Sequence, residues 1–168
     1  MAAFVIRAAI VKDISSIVKI RLQTLTNEEI RGFSSPGLSV YTSEERLFHA
    51  WDGDNRLKDS FEIFVAEAGE ATVGFIVFKM KCDYGYIDNI IVAKEKQGKG
   101  IGSALVAYVE NITKSKGSYL MKTDTTENVD AVPWKSYNFW IRMGYEDTGD
   151  RLPTEYSFKE IPLIKRLK

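Results

Sequence analysis

A strand that runs into a glycine-rich turn and straight on into a helix constrains this chain more than any other feature. Tyr84-Gly-Tyr-Ile-Asp-Asn-Ile-Ile-Val92 is rich in β-branched and aromatic residues, as a strand requires. Beyond Gln97-Gly98-Lys99-Gly100-Ile101-Gly102-Ser103, apolar residues recur at 101, 104, 105, 108, 109 and 112, which is helical spacing. The first turn of a helix leaves backbone N–H groups without partners and carries the positive end of the macrodipole. Gly98, Gly100 and Gly102 carry no Cβ, so an anion such as a pyrophosphate can approach the backbone, and positive φ is available where the turn needs it. Lys99 adds a mobile positive charge.

The spacing chooses among the loops that bind phosphate in this way. A Walker loop needs Lys-Ser or Lys-Thr after its last glycine, whereas here Lys99 precedes Gly100 and Ile101 follows it. A Rossmann fingerprint needs Gly-x-Gly-x-x-Gly, and Gly98, Gly100 and Gly102 give Gly-x-Gly-x-Gly with no βαβ unit before them. Gln-x-x-Gly-x-Gly, present at Gln97, Gly100 and Gly102 after a strand ending in Ile90-Ile91-Val92, resembles the acetyl-CoA signature of the GCN5-related N-acetyltransferase (GNAT) family.

Composition sets the surrounding limits. At 168 residues, 45% hydrophobic and 27% charged, the chain suits one compact domain over 1–168. Lys and Arg together number 23, as do Asp and Glu, so no global basic field points to nucleic acid or to an anionic membrane. The single cysteine, Cys82, permits no intrachain disulfide and no cysteine zinc cluster, so no metal is expected and a reducing cytoplasm is the natural location. No signal-like N-terminus and no apolar run of about 18 residues occurs, so no membrane partner is expected.

Read in order, Phe4 to Ala8 predicts a strand, and Asp13 stands as an N-cap before Ile14, Ile17, Val18, Leu22 and Leu25 at helical spacing. Asn27 to Tyr41 reads as a loop. Thr42 with Glu45 predicts a capping box for a second helix reaching about Trp51, with His49 on it as a packing or surface residue. Phe61 to Ala66 and Thr72 to Lys81 predict a hairpin around Gly69, buried on both faces, with Gly74 marking a close backbone approach or a bulge. After the glycine loop and its helix, Tyr119 to Thr123 predicts a strand, Thr125 to Val132 a polar loop, and Pro133 the first turn of a helix to about Arg142 stopped by Gly144. Tyr145 to Asp147 and part of Ser157 to Leu167 close the chain as strands.

That order, β-α-α-β-β-β-α-β-α-β-β, resembles the GNAT family along nearly the whole chain. The resemblance implies a single-domain α/β acyl-CoA N-acyltransferase fold, with a mixed and mostly antiparallel sheet splayed at the CoA site. It implies that backbone groups of Ile90, Ile91 and Val92 hold the pantetheine and acetyl carbonyl. The amides from Gln97 through Gly98, Lys99, Gly100, Ile101 and Gly102 to Ser103 would hold the pyrophosphate. Acetyl-CoA is then the co-substrate, the 27–41 loop covers the acceptor side, and a homodimer is compatible with the family.

Where the family's tyrosine acid is expected, four residues before the Gly-aromatic pair Gly144-Tyr145, this chain has Trp140, and Pro133 stands in the place of the usual Asn. An indole N–H donates a hydrogen bond but is no usable acid. Tyr137, one helical turn earlier, is the nearest substitute, with unassisted departure of the thiolate equally acceptable and core packing the plain alternative for both aromatics. Trp140 is then expected to line the cofactor channel. Acetylating an amine needs its nitrogen neutral, and the carboxylates near the expected gap are Asp88, in an otherwise apolar strand, and Asp124, at the end of the next one.

The expected function is therefore an N-acetyltransferase moving acetyl from acetyl-CoA to a primary amine by direct attack in a ternary complex. A non-catalytic acyl-CoA-binding module is the alternative, with Trp140 its best support. Binding of another nucleotide phosphate would show as competition by ATP or NAD. The acceptor itself is not written in the sequence.

Overall fold

The computed structural model describes residues 4–24, 40–128, 130–154 and 158–168. Of the loop expected over 27–41, residues 27–39 lie outside them, as does Leu25.

Among the described residues, ten strands form one sheet: β1 (Val5–Ala8), β2 (Trp51–Gly53), β3 (Arg56–Leu57), β4 (Glu62–Ala68), β5 (Ala71–Met80), β6 (Gly85–Val92), β7 (Leu120–Glu127), β8 (Glu146–Asp147), β9 (Leu152–Pro153) and β10 (Lys159–Arg166). The α-helices of the described residues are α1 (Ile14–Thr24), α2 (Glu44–Ala50), α3 (Ile101–Ser115) and α4 (Lys135–Arg142). The sheet runs β2-β3-β4-β5-β6-β7-β10-β8, with β1 also on β4 and β9 also on β10; every pairing is antiparallel except β6 with β7. None of the helices described is long and apolar enough to cross a membrane.

Each sheet face carries a core. On one, Phe78, Ile87, Met121, Ile161 and Leu163 pack against Ile101, Leu105 and Val109 of α3 and Trp140 of α4. On the other, Phe75, Val77 and Ile91 pack against Ile14, Ile17 and Val18 of α1 and Leu47 of α2, with Tyr41 among them. The near-continuous apolar runs of β4 and β5 are thus buried on both faces, as a central strand pair requires.

Several local expectations need adjusting. The cap of α2 is Ser43, whose side chain accepts from the amide of Arg46; Thr42 ends a short 3-10 turn. Trp51 begins β2, because its backbone is extended and pairs with Leu57. Asp13 closes a 3-10 turn before α1, where its carboxylate accepts from the amide of Ile10 (2.8 Å) and pairs with Arg7. β7 runs on to Glu127, since β10 hydrogen-bonds its polar second half along the full register. Trp134 caps α4, and Pro133 lies before the helix in a bridge to Glu127.

Candidate acetyl-transfer site

Parallel pairing between β6 and β7 is short. Gly85 pairs with Met121 and Tyr86 with Lys122, and the hydroxyl of Thr123 donates to the carbonyl of Ile87 (2.9 Å). Beyond that point the strands part: β7 stays with β10, and β6 stays with β5 as far as Gly74 opposite Val92. The far half of β6 therefore has an open edge, its backbone groups facing a gap.

At the mouth of this gap lies the glycine loop. Gly98 has φ +75° and Gly100 φ +80°, left-handed conformations that favour glycine, and a Cβ at either would meet nothing within 4 Å. The first helical amide to find a carbonyl is that of Ala104, on Gly100 (3.0 Å), so the amides of Ile101, Gly102 and Ser103 precede the helical ladder. The side chain of Gln97 folds back to donate to the carbonyl of Val92 (3.0 Å), and Lys99 donates to the carbonyl of Glu95 (3.2 Å), tying the loop to the end of β6. Open space over left-handed glycines, beside unpaired amides, fits an anionic diphosphate. Ile101 contributes only backbone, because its side chain is buried in the core.

β6 carries a bulge that no sequence pattern announces. Val77 pairs with Asn89 but Phe78 pairs with Ile87, which leaves Asp88 as the extra residue. The alternation of the strand shifts accordingly. Ile87, Ile90 and Val92 join the core under α3, Ile91 joins the core under α1, and Asp88 turns to the α1 side, where it meets Tyr41.

Asp88 is open to solvent in the cleft yet crowded by protein. That crowding first, then the charges of Asp124 and Asp59, push its pKa up to about 6, while the hydrogen bond from Tyr41 opposes the shift. Asp124 lies on the same side. It accepts from the hydroxyl of Tyr86 (2.6 Å), and burial raises its pKa against that bond. Burial raises the tyrosines Tyr41 and Tyr86 as well, with the neighbouring carboxylates adding to it. Glu160, half-buried, is raised by burial and by Asp124. Asp88 and Asp124, singled out in the sequence, are thus brought together, joined by Tyr41, Asp59, Tyr86 and Glu160. Those four gave no local signal, because register and not spacing assembles them.

The aromatic residues of α4 lie elsewhere. Trp140 is 3% exposed and packs edge-on against Phe139 and Tyr145, at centroid distances of 5.1 and 4.9 Å. Its indole fills the core beneath α3, so its surroundings are those of a packing residue. Phe139 is the ring nearest the loop, since a Cβ on Gly102 would lie 3.4 Å from it. Tyr137 donates its hydroxyl to Asp147 on β8 (3.1 Å), and Arg151 clamps the same carboxylate. Cys82 and His49 are exposed, away from these groups.

The family model described as an acetyltransferase (GNAT) domain matches residues 59–147, from the hairpin before the gap to β8. The chain belongs to the GNAT family. A Methanocaldococcus jannaschii protein curated as an uncharacterized N-acetyltransferase is 35% identical over 107 residues, which are 61% of this chain; the match spans 65% of that protein's length. Among solved structures, a GNAT-family acetyltransferase structure from Desulfovibrio desulfuricans covers 99% of this chain and 100% of its own, at 17% identity and a TM-score of 0.76. The PaiA N-acetyltransferase of Thermoplasma acidophilum, solved with coenzyme A, covers 98% and 99% at 17% identity and a TM-score of 0.71. These structures share the fold, and the family match contains β6, the glycine loop and α3.

Proposed function

We propose that the protein acetylates a primary amine with acetyl-CoA by direct attack in a ternary complex. The observation that carries the reading is the bulge at Asp88, which aims a carboxylate with a raised pKa into the cleft beside the open edge of β6. When bound, acetyl-CoA supplies an activated acyl thioester. On this account the amides of Gly98 to Ser103 hold its diphosphate, the amide of Gln97 being bonded to the carbonyl of Lys94 (3.4 Å), and the free edge of Ile90, Ile91 and Val92 holds the pantetheine arm and acetyl carbonyl.

Asp88 takes a proton from the incoming ammonium, the neutral nitrogen forms the new bond to the acetyl carbon as the bond to sulfur breaks, and the acylated nitrogen gives up its second proton to solvent, leaving the neutral amide. The thiolate then takes its proton from solvent. No acid from α4 is required, because Trp140 has no acidic proton and Tyr137 donates to Asp147. Asp88 with a pKa near 6 is largely ionised at neutral pH, so it is ready as a base, and the raised value makes it a better proton acceptor than an ordinary carboxylate.

A second reading, a non-catalytic acyl-CoA-binding module, draws on Trp140 in the place of the family's tyrosine. The two separate in one experiment: free thiol is measured with acetyl-CoA and a panel of amines, in wild type and Asp88→Asn. Amine-dependent thiol release that falls about 10²-fold or more in the variant supports the enzyme. Tight CoA binding with no amine-dependent release supports the module.

A further inference from the structure

The class of acceptor can be named from the charges of the cleft, an inference that rests on the amine-acetylation reading above. We propose that the acceptor is an aliphatic di- or polyamine: its reacting nitrogen lies at Asp88, and a second ammonium is held by Asp124, Glu160 and the hydroxyl of Thr126.

Elsewhere in the molecule, carboxylates drawn into the protein are matched by cations. Asp13 and Glu67 share Arg7, Glu110 holds Lys165, and Glu127 and Asp147 share Arg151. Among the described residues, Asp59, Asp88, Asp124 and Glu160 meet no Lys or Arg at ion-pair distance; the side-chain partners of Asp88 and Asp124 are tyrosine hydroxyls. Two lysines lie close by register and turn elsewhere. Lys79, opposite Tyr86, donates to the carbonyl of Asp59 and sits 5.1 Å from the centre of the Phe61 ring. Lys122, two residues before Asp124, sits 4.0 Å from the centre of the Tyr84 ring. Among the described residues, the cleft is left with a surplus of negative charge.

Acidic residues alone would mark only a solvated surface. A second observation points to a ligand here: Thr126 is only 9% exposed, and its hydroxyl has no hydrogen-bond partner among the described residues. A buried hydroxyl left unpaired is costly, and such atoms in native folds call for an explanation. β7 sends Asp124 and Thr126 to the same face, because side chains alternate along a strand, and β10 sets Glu160 directly across from Thr126. Three acceptors, two of them carboxylates, thus stand together, and an alkylammonium has three N–H donors. The surface alongside is less polar: Pro162 lies across from Asp124, and the Phe61 ring lies against Tyr86. That suits methylene groups between two nitrogens, whereas the carboxylate of a free amino acid would be repelled.

The test is calorimetric titration of the purified protein with putrescine and spermidine, against n-butylamine as the monoamine of matched length, alongside kcat/KM for each with acetyl-CoA. Putrescine should bind about tenfold or more tightly than butylamine, the worth of one charge-assisted hydrogen-bonded contact. The ratio should fall toward one in Glu160→Gln and in Thr126→Val. Equal binding of the two amines to wild type overturns the proposal without recourse to any variant, as does a preference that both folded variants keep. If diamines bind with this preference and none is acetylated, the acetylation reading falls while the ligand class stands. If all amines are acetylated with equal kcat/KM, the acetylation reading stands and the diamine proposal falls.

Discussion

If Asp88 is the base, its pKa sets the acid limb of the pH–rate profile, and Asp124→Asn must move that limb in a known direction. Asp88 is held at about 6 by crowding, then by the negative charges of Asp124 and Asp59. The Asn variant keeps the shape at position 124 and an oxygen to accept from Tyr86, but removes one of those charges. A carboxylate with fewer negative neighbours ionises more readily, so the pKa of Asp88 falls. In the wild type, kcat/KM should be level above about pH 7 and decline with a slope near one below pH 6. At pH 5 about a tenth of Asp88 is ionised, which places kcat/KM about tenfold under the plateau. In Asp124→Asn the bend moves to lower pH and the deficit at pH 5 shrinks. The assay is thiol release with one fixed amine at constant ionic strength from pH 5 to 8, and the position of the bend is read, since plateau height also reflects acceptor binding. In Asp88→Asn the bend should vanish. A bend that stays in place or rises in Asp124→Asn refutes the electrostatic reasoning, and a bend that survives in Asp88→Asn removes Asp88 as the base.

Gly100→Val places a branched side chain at φ +80° and fills the open space above the loop, at a strain of about 1–2 kcal/mol. Calorimetric CoA binding should be lost while circular dichroism stays near native, and unchanged affinity in a folded variant would remove the loop from the cofactor site. Tyr137→Phe deletes the bond to Asp147 and should leave kcat near that of the wild type; a fall of about 10²-fold would instead identify Tyr137 as the acid. Gly85→Ala puts a Cβ 2.2 Å from the Thr113 hydroxyl, 2.7 Å from the Met121 sulfur and 2.9 Å from Phe78, within the short stretch where β6 and β7 pair. Overpacking of this kind costs about 1–3 kcal/mol. A Tm lowered by several degrees is expected, and an unchanged Tm would mean that the strand junction yields more easily than its packing implies.

The parts of the fold fixed by local chemistry were legible in the sequence. The left-handed glycines of the loop, the helix stops at Gly117 and Gly144, and the turn at Gly69 all have positive φ. At Gly74 both suggested features occur together: a Cβ there would lie 3.0 Å from the carbonyl of Ile91, and the β4–β5 register shifts beside it. What escaped notice depends on partners distant in the chain. The end of β7, Thr125-Thr126-Glu127, reads as part of a polar loop until β10 supplies its ladder. The β2–β3 hairpin is too short to show a period, and Trp51 continues the helical pattern before it. Asp88 and Asp124 stood out because a charge in or at the end of an apolar strand needs a reason. Tyr41, Asp59, Tyr86 and Glu160 did not, since the bulge and the sheet register bring them to the same cleft.

The most direct test of the account is a product balance. Wild-type protein is mixed with a limiting amount of acetyl-CoA and excess putrescine; free CoA is measured by thiol titration and N-acetylated amine by mass spectrometry. The account predicts that thiol and N-acetylated amine appear in equal amounts, at a rate that Asp88→Asn lowers about 10²-fold or more while CoA still binds. Thiol release without acetylated amine, or CoA bound with no transfer to putrescine or to any monoamine, would contradict it.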